Sequence, residues 1–262
     1  MGIRAIMPMT IADRTLVTRM LTALRGRLDR TLDWVRLQID GFPAHDRFGH
    51  VSPIRYQPIP ALGIGGGGRA AGTATRWEKM DETLTSCGVS AGAAVDIGAN
   101  SGYFSIALGR RGFDVLAIEP LPPAHRTIIY AVRKAGLAER VAVSNLTIAP
   151  HNIDLIPNAS VVVFLSLWHH LARAHGLPAA ETMLSAIWAK TGRVMFFDTG
   201  ESEMPPEYGL PVMEPDAQTW LGELLLRTCP GAEVRHLGLH QAFDADRRPA
   251  TRNLYAVIRI RE

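Results

Sequence analysis

The chain has 262 residues, 47% of them apolar and 20% charged, which suits a large globular domain and argues against intrinsic disorder. Its two cysteines, Cys87 and Cys229, cannot build a disulfide framework or a Cys-x-x-Cys zinc site, so a reducing, cytoplasmic setting is expected. The formal charge of +3 is carried by arginine except at Lys79, Lys134 and Lys190, and an excess so small and unclustered argues against a nucleic-acid partner.

From Thr10 to about Ile39, apolar residues including Leu16, Met20, Leu24, Leu28, Leu32 and Val35 recur every three or four positions. That spacing predicts an amphipathic helix with an arginine-rich opposite face. Such a helix packs on a neighbouring surface, caps a substrate, or forms a homodimer. Asp13, Arg14 and Arg19 interrupt any apolar core in the first twenty residues, so no secretory signal is expected. The best apolar run, Val161 to Trp168, has strand length, far short of the roughly 18–20 residues of a membrane helix.

Residues 41–75 are rich in Pro and Gly and include four consecutive glycines, Gly65 to Gly68. They read as a linker or a flap, not a phosphate loop, because Arg69-Ala70-Ala71 follows where Gly-Lys-Ser/Thr is needed. Residues 1–75 are therefore expected to form a helix and a cap or linker, and residues 76–262 the main domain. From Arg76 onward, short apolar runs alternate with helix-like stretches. Strands are expected at Ala94–Ile97, Val115–Ile118, Val141–Ser144, Val161–Leu165 and Val194–Phe197. Helices are expected at Tyr103–Arg111, Pro123–Ala135, Leu171–Ala174 and Ala179–Lys190. This alternation implies a parallel sheet covered on both faces. A further helix, Asp216–Leu226, precedes Glu233–Leu239 and Asn253–Ile260, which read as an antiparallel hairpin.

The segment Val95-Asp96-Ile97-Gly98-Ala99-Asn100-Ser101-Gly102-Tyr103-Phe104-Ser105 reads as strand, glycine turn and helix start. Gly98 and Gly102 allow close backbone approach to a ligand. The NAD pattern Gly-x-Gly-x-x-Gly is absent, and Asp96 would repel a pyrophosphate while attracting an ammonium. This chemistry suits the amino-acid end of S-adenosylmethionine. Glu119 lies 23 residues after Asp96, at the end of the second strand, where a carboxylate accepts hydrogen bonds from both hydroxyls of a ribose.

On these residues the sequence resembles the class I S-adenosylmethionine-dependent methyltransferases, and VDIGANSGYFSIAL…VLAIEP (95–120) looks most like the FkbM-type branch. The resemblance implies a Rossmann-like, seven-stranded sheet, mostly parallel with the last strand antiparallel, and helices on both faces. It also implies a cofactor site at Asp96, Gly98, Ala99, Asn100, Gly102, Tyr103, Glu119 and Pro120, with Ser166 at the fourth strand end. Asn145 and Leu146 follow the third strand, where such enzymes contact adenine.

The stretch Leu165-Ser166-Leu167-Trp168-His169-His170-Leu171 should sit at the same sheet edge, near the transferred methyl group. His169 or His170 is a candidate general base, because imidazole titrates near neutrality; a structural histidine is the competing reading for each. No metal site is expected. Asp198, Glu201 and Glu203, after the fifth strand, either orient acceptor hydroxyls, bind a cation, or form an ordinary polar loop. The expected activity is methyl transfer to a small molecule, with O-methylation of a hydroxyl in a natural product or sugar foremost. An RNA-modifying methyltransferase and a non-catalytic partner subunit are the alternatives.

Overall fold

The computed structural model describes residues 57–65, 72–243 and 248–260. The expected N-terminal helix, with its capping and dimer-forming roles, lies outside the described residues, as does the glycine run after Gly65. Seven strands form one sheet: β1 (Gly92–Ile97), β2 (Phe113–Ile118), β3 (Val141–Ser144), β4 (Ala159–Leu165), β5 (Thr191–Asp198), β6 (Ala232–Phe243) and β7 (Pro249–Arg259). Their order is β3-β2-β1-β4-β5-β7-β6. β1 pairs in parallel with β2 on one side and β4 on the other, while β7 runs antiparallel between β5 and β6. This is the Rossmann-like sheet with a reversed last strand that the sequence led us to expect.

Among the described residues, six helices flank the sheet: α1 (Thr73–Ser86), α2 (Tyr103–Arg111), α3 (Pro122–Lys134), α4 (Trp168–His175), α5 (Leu177–Ala189) and α6 (Ala217–Thr228). The central strands β1, β4 and β5 read as apolar runs because both their faces are buried. Val95, Ile97, Val162, Phe164, Met195, Phe197 and Tyr255 join Trp168, Leu184, Ile187, Trp188 and Leu224 in one apolar cluster. The alternate positions Ala94, Val161, Val163, Val194 and Phe196 are buried as well. Among the described residues, no helix is long and apolar enough to cross a membrane.

Two differences from the sequence expectation shape the site. Within the Pro/Gly-rich stretch, the described residues 57–65 are anchored rather than a plain connector. Ile59 and Leu62 are buried around a short 3-10 turn, Pro60–Leu62, which packs against α3. The β6–β7 hairpin is also longer than expected. The last β5–β7 pair is Phe197 with Tyr255, yet β6–β7 pairing continues from Leu239–Asn253 to Phe243–Pro249. At about 3.3 Å per residue the arm overhangs the sheet's carboxyl edge by roughly 15 Å. Polar residues such as His240 and Arg252 conceal it in the sequence, and neighbouring elements bury them there.

Candidate functional site

Order reverses between β1 and β4, so their carboxyl ends bound the crevice where open parallel sheets bind ligands. One wall is the turn from Gly98 to Gly102. It is built on left-handed backbone at Gly98 (φ 77°), Asn100 (φ 52°) and Gly102 (φ 84°). A side chain at either glycine would meet the protein itself. A Cβ at Gly102 would lie 3.0 Å from Ile128 Cγ2, and one at Gly98 would lie 3.3 Å from Leu167 Cδ2. The glycines therefore serve packing as well as backbone shape.

The turn's backbone donors all have partners within the protein. Gly98 and Ala99 donate to the Ile118 carbonyl at 2.9 and 3.1 Å, and Gly102 donates to Ala99 at 2.9 Å. Ser101 N–H goes to Asn100 Oδ1 at 2.9 Å, and the Ser101 hydroxyl to Gln57 Oε1 at 3.2 Å. Tyr103, at the start of α2, is half-buried, and Ala99 is buried.

Glu119 ties this wall to β2. Its Oε2 accepts from Asn100 N–H at 2.9 Å and its Oε1 from Leu121 N–H, across Pro120, at 2.8 Å. Each oxygen keeps a lone pair for a further donor, which fits a vicinal diol. Burial, with a smaller contribution from the Asp96 charge, pushes the Glu119 carboxyl up to about 7. Asp96 stands within electrostatic reach of Glu119 but has a job inside the fold. Ser105 gives it its hydroxyl, at 2.5 Å to Oδ2. A carboxylate there, beside the N-terminal end of α2, complements that helix's dipole. Burial raises Asp96 to about 6. Asn145 is exposed just past β3, and Leu146 packs on the apolar core; Glu119 N–H donates to Ser144 O at 2.9 Å, which holds that strand end beside the acid.

A raised acid holds its proton more tightly in the folded chain, so stability falls as pH climbs from the ordinary 4.5 to about 7. Glu119→Gln removes that slope. The variant should gain on the parent by on the order of 1–3 kcal/mol between pH 5 and pH 8, read from denaturation midpoints. His169 acts in the opposite sense, since burial lowers its pKa and the fold loses stability as pH drops through 6.5. That contribution is common to both proteins and cancels in the difference. A pH-independent difference would contradict the burial of an ionisable Glu119.

The second wall carries Ser166, Leu167 and α4, and it separates the two histidines. His169 is buried, and its Nδ1 accepts from Gly200 N–H at 2.8 Å. The network therefore places its proton on Nε2. With Nδ1 engaged and its pKa lowered by burial, His169 is held neutral and tied to the Gly200 backbone. His170 is exposed, 4.3 Å from the His169 ring and 5.5 Å from Tyr208.

The three carboxylates after β5 are all engaged within the protein. Asp198 Oδ1 accepts from Ser166 N–H at 2.6 Å and Oγ–H at 2.8 Å, and Arg76 Nε stands 2.8 Å from its Oδ2. Glu201 accepts from Asn253 N–H at 2.6 Å and Nδ2 at 3.0 Å, and burial raises it to about 7. Glu203 pairs with Arg252 at 2.7 Å. No cluster of three metal-ligating side chains occurs among the described residues.

Sequence reasoning missed Arg76, Arg252 and His240. Thr75 gives its hydroxyl proton to Gly72 O at 3.0 Å, so the 3.0 Å contact with His240 makes Nδ1 of that ring the donor. Nε2 of His240 has no protein partner. A charged residue on a helix face or in a hairpin gives no sequence signal of such burial.

No protein-family model matches the chain, and no curated protein matches it. Solved structures do. The bifunctional kinase-methyltransferase WbdD aligns with a TM-score of 0.60 and 20% identity, covering 78% of this chain and 43% of WbdD. Magnesium protoporphyrin IX methyltransferase (ChlM) from Synechocystis PCC 6803, crystallised with bound SAM, aligns with a TM-score of 0.53 and 13% identity. That alignment covers 72% of this chain and 81% of ChlM. The chain thus spans less than half the length of WbdD. At these identities the likeness shows the fold alone, a Rossmann-like seven-stranded sheet.

Proposed function

We propose that the chain is an S-adenosylmethionine-dependent methyltransferase acting on a hydroxyl of a small molecule, a natural product or a sugar. The observation that carries this reading is Glu119: a buried carboxylate at the β2 carboxyl end, bonded to the glycine turn at the sheet's switch point, with one lone pair left on each oxygen. That geometry fits the two ribose hydroxyls of the cofactor. Its fold is shared with ChlM, which holds SAM, and with WbdD, described as a methyltransferase. The FkbM-type likeness rests on residues 95–120 alone.

The cofactor supplies a methyl group already activated by its sulfonium, so the chain's work is alignment and exclusion of water. Glu119, with Asn100 and Pro120, holds the ribose; Asn145 and Leu146 border the adenine; Asp96, Gly98 and Ser166 line the amino-acid end. His170, at the exposed start of α4, takes the acceptor's proton. The β6–β7 arm and Tyr208 border the acceptor. A cytoplasmic location and a homodimer through the N-terminal helix belong to the same proposal.

The test is transfer of a labelled methyl group from S-adenosylmethionine to a panel of hydroxylated small molecules, with release of S-adenosylhomocysteine. Methylation at oxygen is the expected product. Transfer confined to RNA, with binding that falls steeply as salt rises, would replace the small-molecule acceptor.

A further inference from the structure

Two non-glycine residues among those described have left-handed backbone, Asn100 (φ 52°) and Ser166 (φ 54°), and they stand on opposite walls of the same crevice. Such conformations persist where the surroundings over-determine them. Each is held by a buried carboxylate from the end of a neighbouring strand. Glu119 holds Asn100 through its N–H. Asp198 holds Ser166 through two bonds to one carboxylate oxygen, from the N–H at 2.6 Å and the hydroxyl at 2.8 Å, and its main-chain carbonyl shares that N–H at 3.1 Å. The β4–β5 register places Leu165 beside Asp198, so the carboxylate lies directly alongside the strained residue.

The other oxygen of Asp198 faces Arg76 Nε at 2.8 Å, a charge contact not aligned as a hydrogen bond. Both side chains are buried, at 1% and 9% exposure. Arg76 belongs to α1, before the first strand, and also donates to Gln241 O on the arm at 3.2 Å. Arg252 completes the shell, donating to the Ser166 hydroxyl at 3.2 Å. The turn held in this way is the one the glycine turn leans on, since a Cβ at Gly98 would touch Leu167.

We propose that Asp198, backed by Arg76 of α1, is a positioning residue for cofactor binding: it holds the Ser166–Leu167 turn in the strained form that shapes the second wall of the crevice. This inference rests on the cofactor assignment above and adds residues outside it. Without the carboxylate, Ser166 relaxes toward ordinary backbone angles and Leu167 shifts against Gly98. Glycine at 166 adopts the left-handed form without cost and so no longer needs Asp198.

The test is calorimetric titration of the full chain with S-adenosylhomocysteine, alongside thermal midpoints. Asp198→Ala should weaken binding by about tenfold or more, and Ser166→Gly alone sets the affinity against which the double variant is read. Adding Ser166→Gly to Asp198→Ala should bring the affinity up to that of Ser166→Gly alone, a rescue that a general packing defect would not show.

Removing Asp198 leaves Arg76 charged and unpaired inside the protein. Two companions avoid that difficulty. Asp198→Asn with Arg76→Gln discharges the pair but keeps an amide oxygen for Ser166, and should bind like the parent. Ser166→Val keeps the ion pair but strains a β-branched residue, and should lose about tenfold. Parent-like binding by Asp198→Ala and Ser166→Val, or loss in Asp198→Ala without rescue by glycine, overturns the inference and leaves the cofactor assignment standing. A parent that binds no S-adenosylhomocysteine overturns the assignment beneath it, and the inference with it.

Discussion

Glu119→Ala is expected to weaken S-adenosylmethionine binding by about 1–3 kcal/mol, roughly 5- to 150-fold, measured by calorimetric titration. The effect has two sources. The first is loss of the acceptor that the ribose hydroxyls would use. The second is release of the two amides that Glu119 now holds, Asn100 N–H after β1 and Leu121 N–H after β2. The left-handed Asn100 loses its anchor in the variant and the glycine turn loosens. Glu119→Gln separates the two sources, because its amide oxygen still serves one N–H while its NH2 opposes the other. It should fall between parent and alanine in affinity. Equal affinity in all three would detach Glu119 from the ligand.

Trp168→Ala should produce the largest loss of stability. Trp168 is fully buried, and its Nε1–H donates to Ala180 O at 3.1 Å. Its ring lies 6.4 Å from that of Phe197 and 6.3 Å from that of Trp220, so it joins α4, α5, α6 and β5. Truncating a tryptophan in such a place leaves a cavity and removes the indole hydrogen bond, at a cost of about 3–5 kcal/mol. The thermal midpoint should fall by roughly 10 °C. Val212→Ala, on a side chain left 80% exposed, is the control and should change stability by less than about 0.5 kcal/mol. Trp168 also opens α4, directly before His169 and His170, so the variant should lose turnover even where it remains folded. A midpoint unchanged from the parent would contradict the packing described.

Much of the fold could be read from the residues because the central strands are buried on both faces, and runs such as Val161 to Leu165 announce themselves. The β1–turn–α2 unit and Glu119 were equally legible, since a glycine turn between an apolar strand and a helix has a narrow physical meaning. What stayed hidden depends on partners distant in the chain. Helix α1 buries only Thr73, Arg76, Met80, Thr83 and Leu84, a face too polar to stand out. Its Arg76 is drawn inside by Asp198, more than a hundred residues later. The choice between His169 and His170 turns on an amide at Gly200, about thirty residues away. Asp198, Glu201 and Glu203 looked available for a substrate because Ser166, Asn253 and Arg252, which occupy them, are neighbours only in space.

Titration of the purified full chain with S-adenosylmethionine, followed by heat and by the thermal midpoint, tests the central claim most directly. The account requires saturable binding of one cofactor per chain and a rise in midpoint that grows with ligand concentration, as linkage demands. A flat titration with an unmoved midpoint, in a protein shown to be folded, would contradict it.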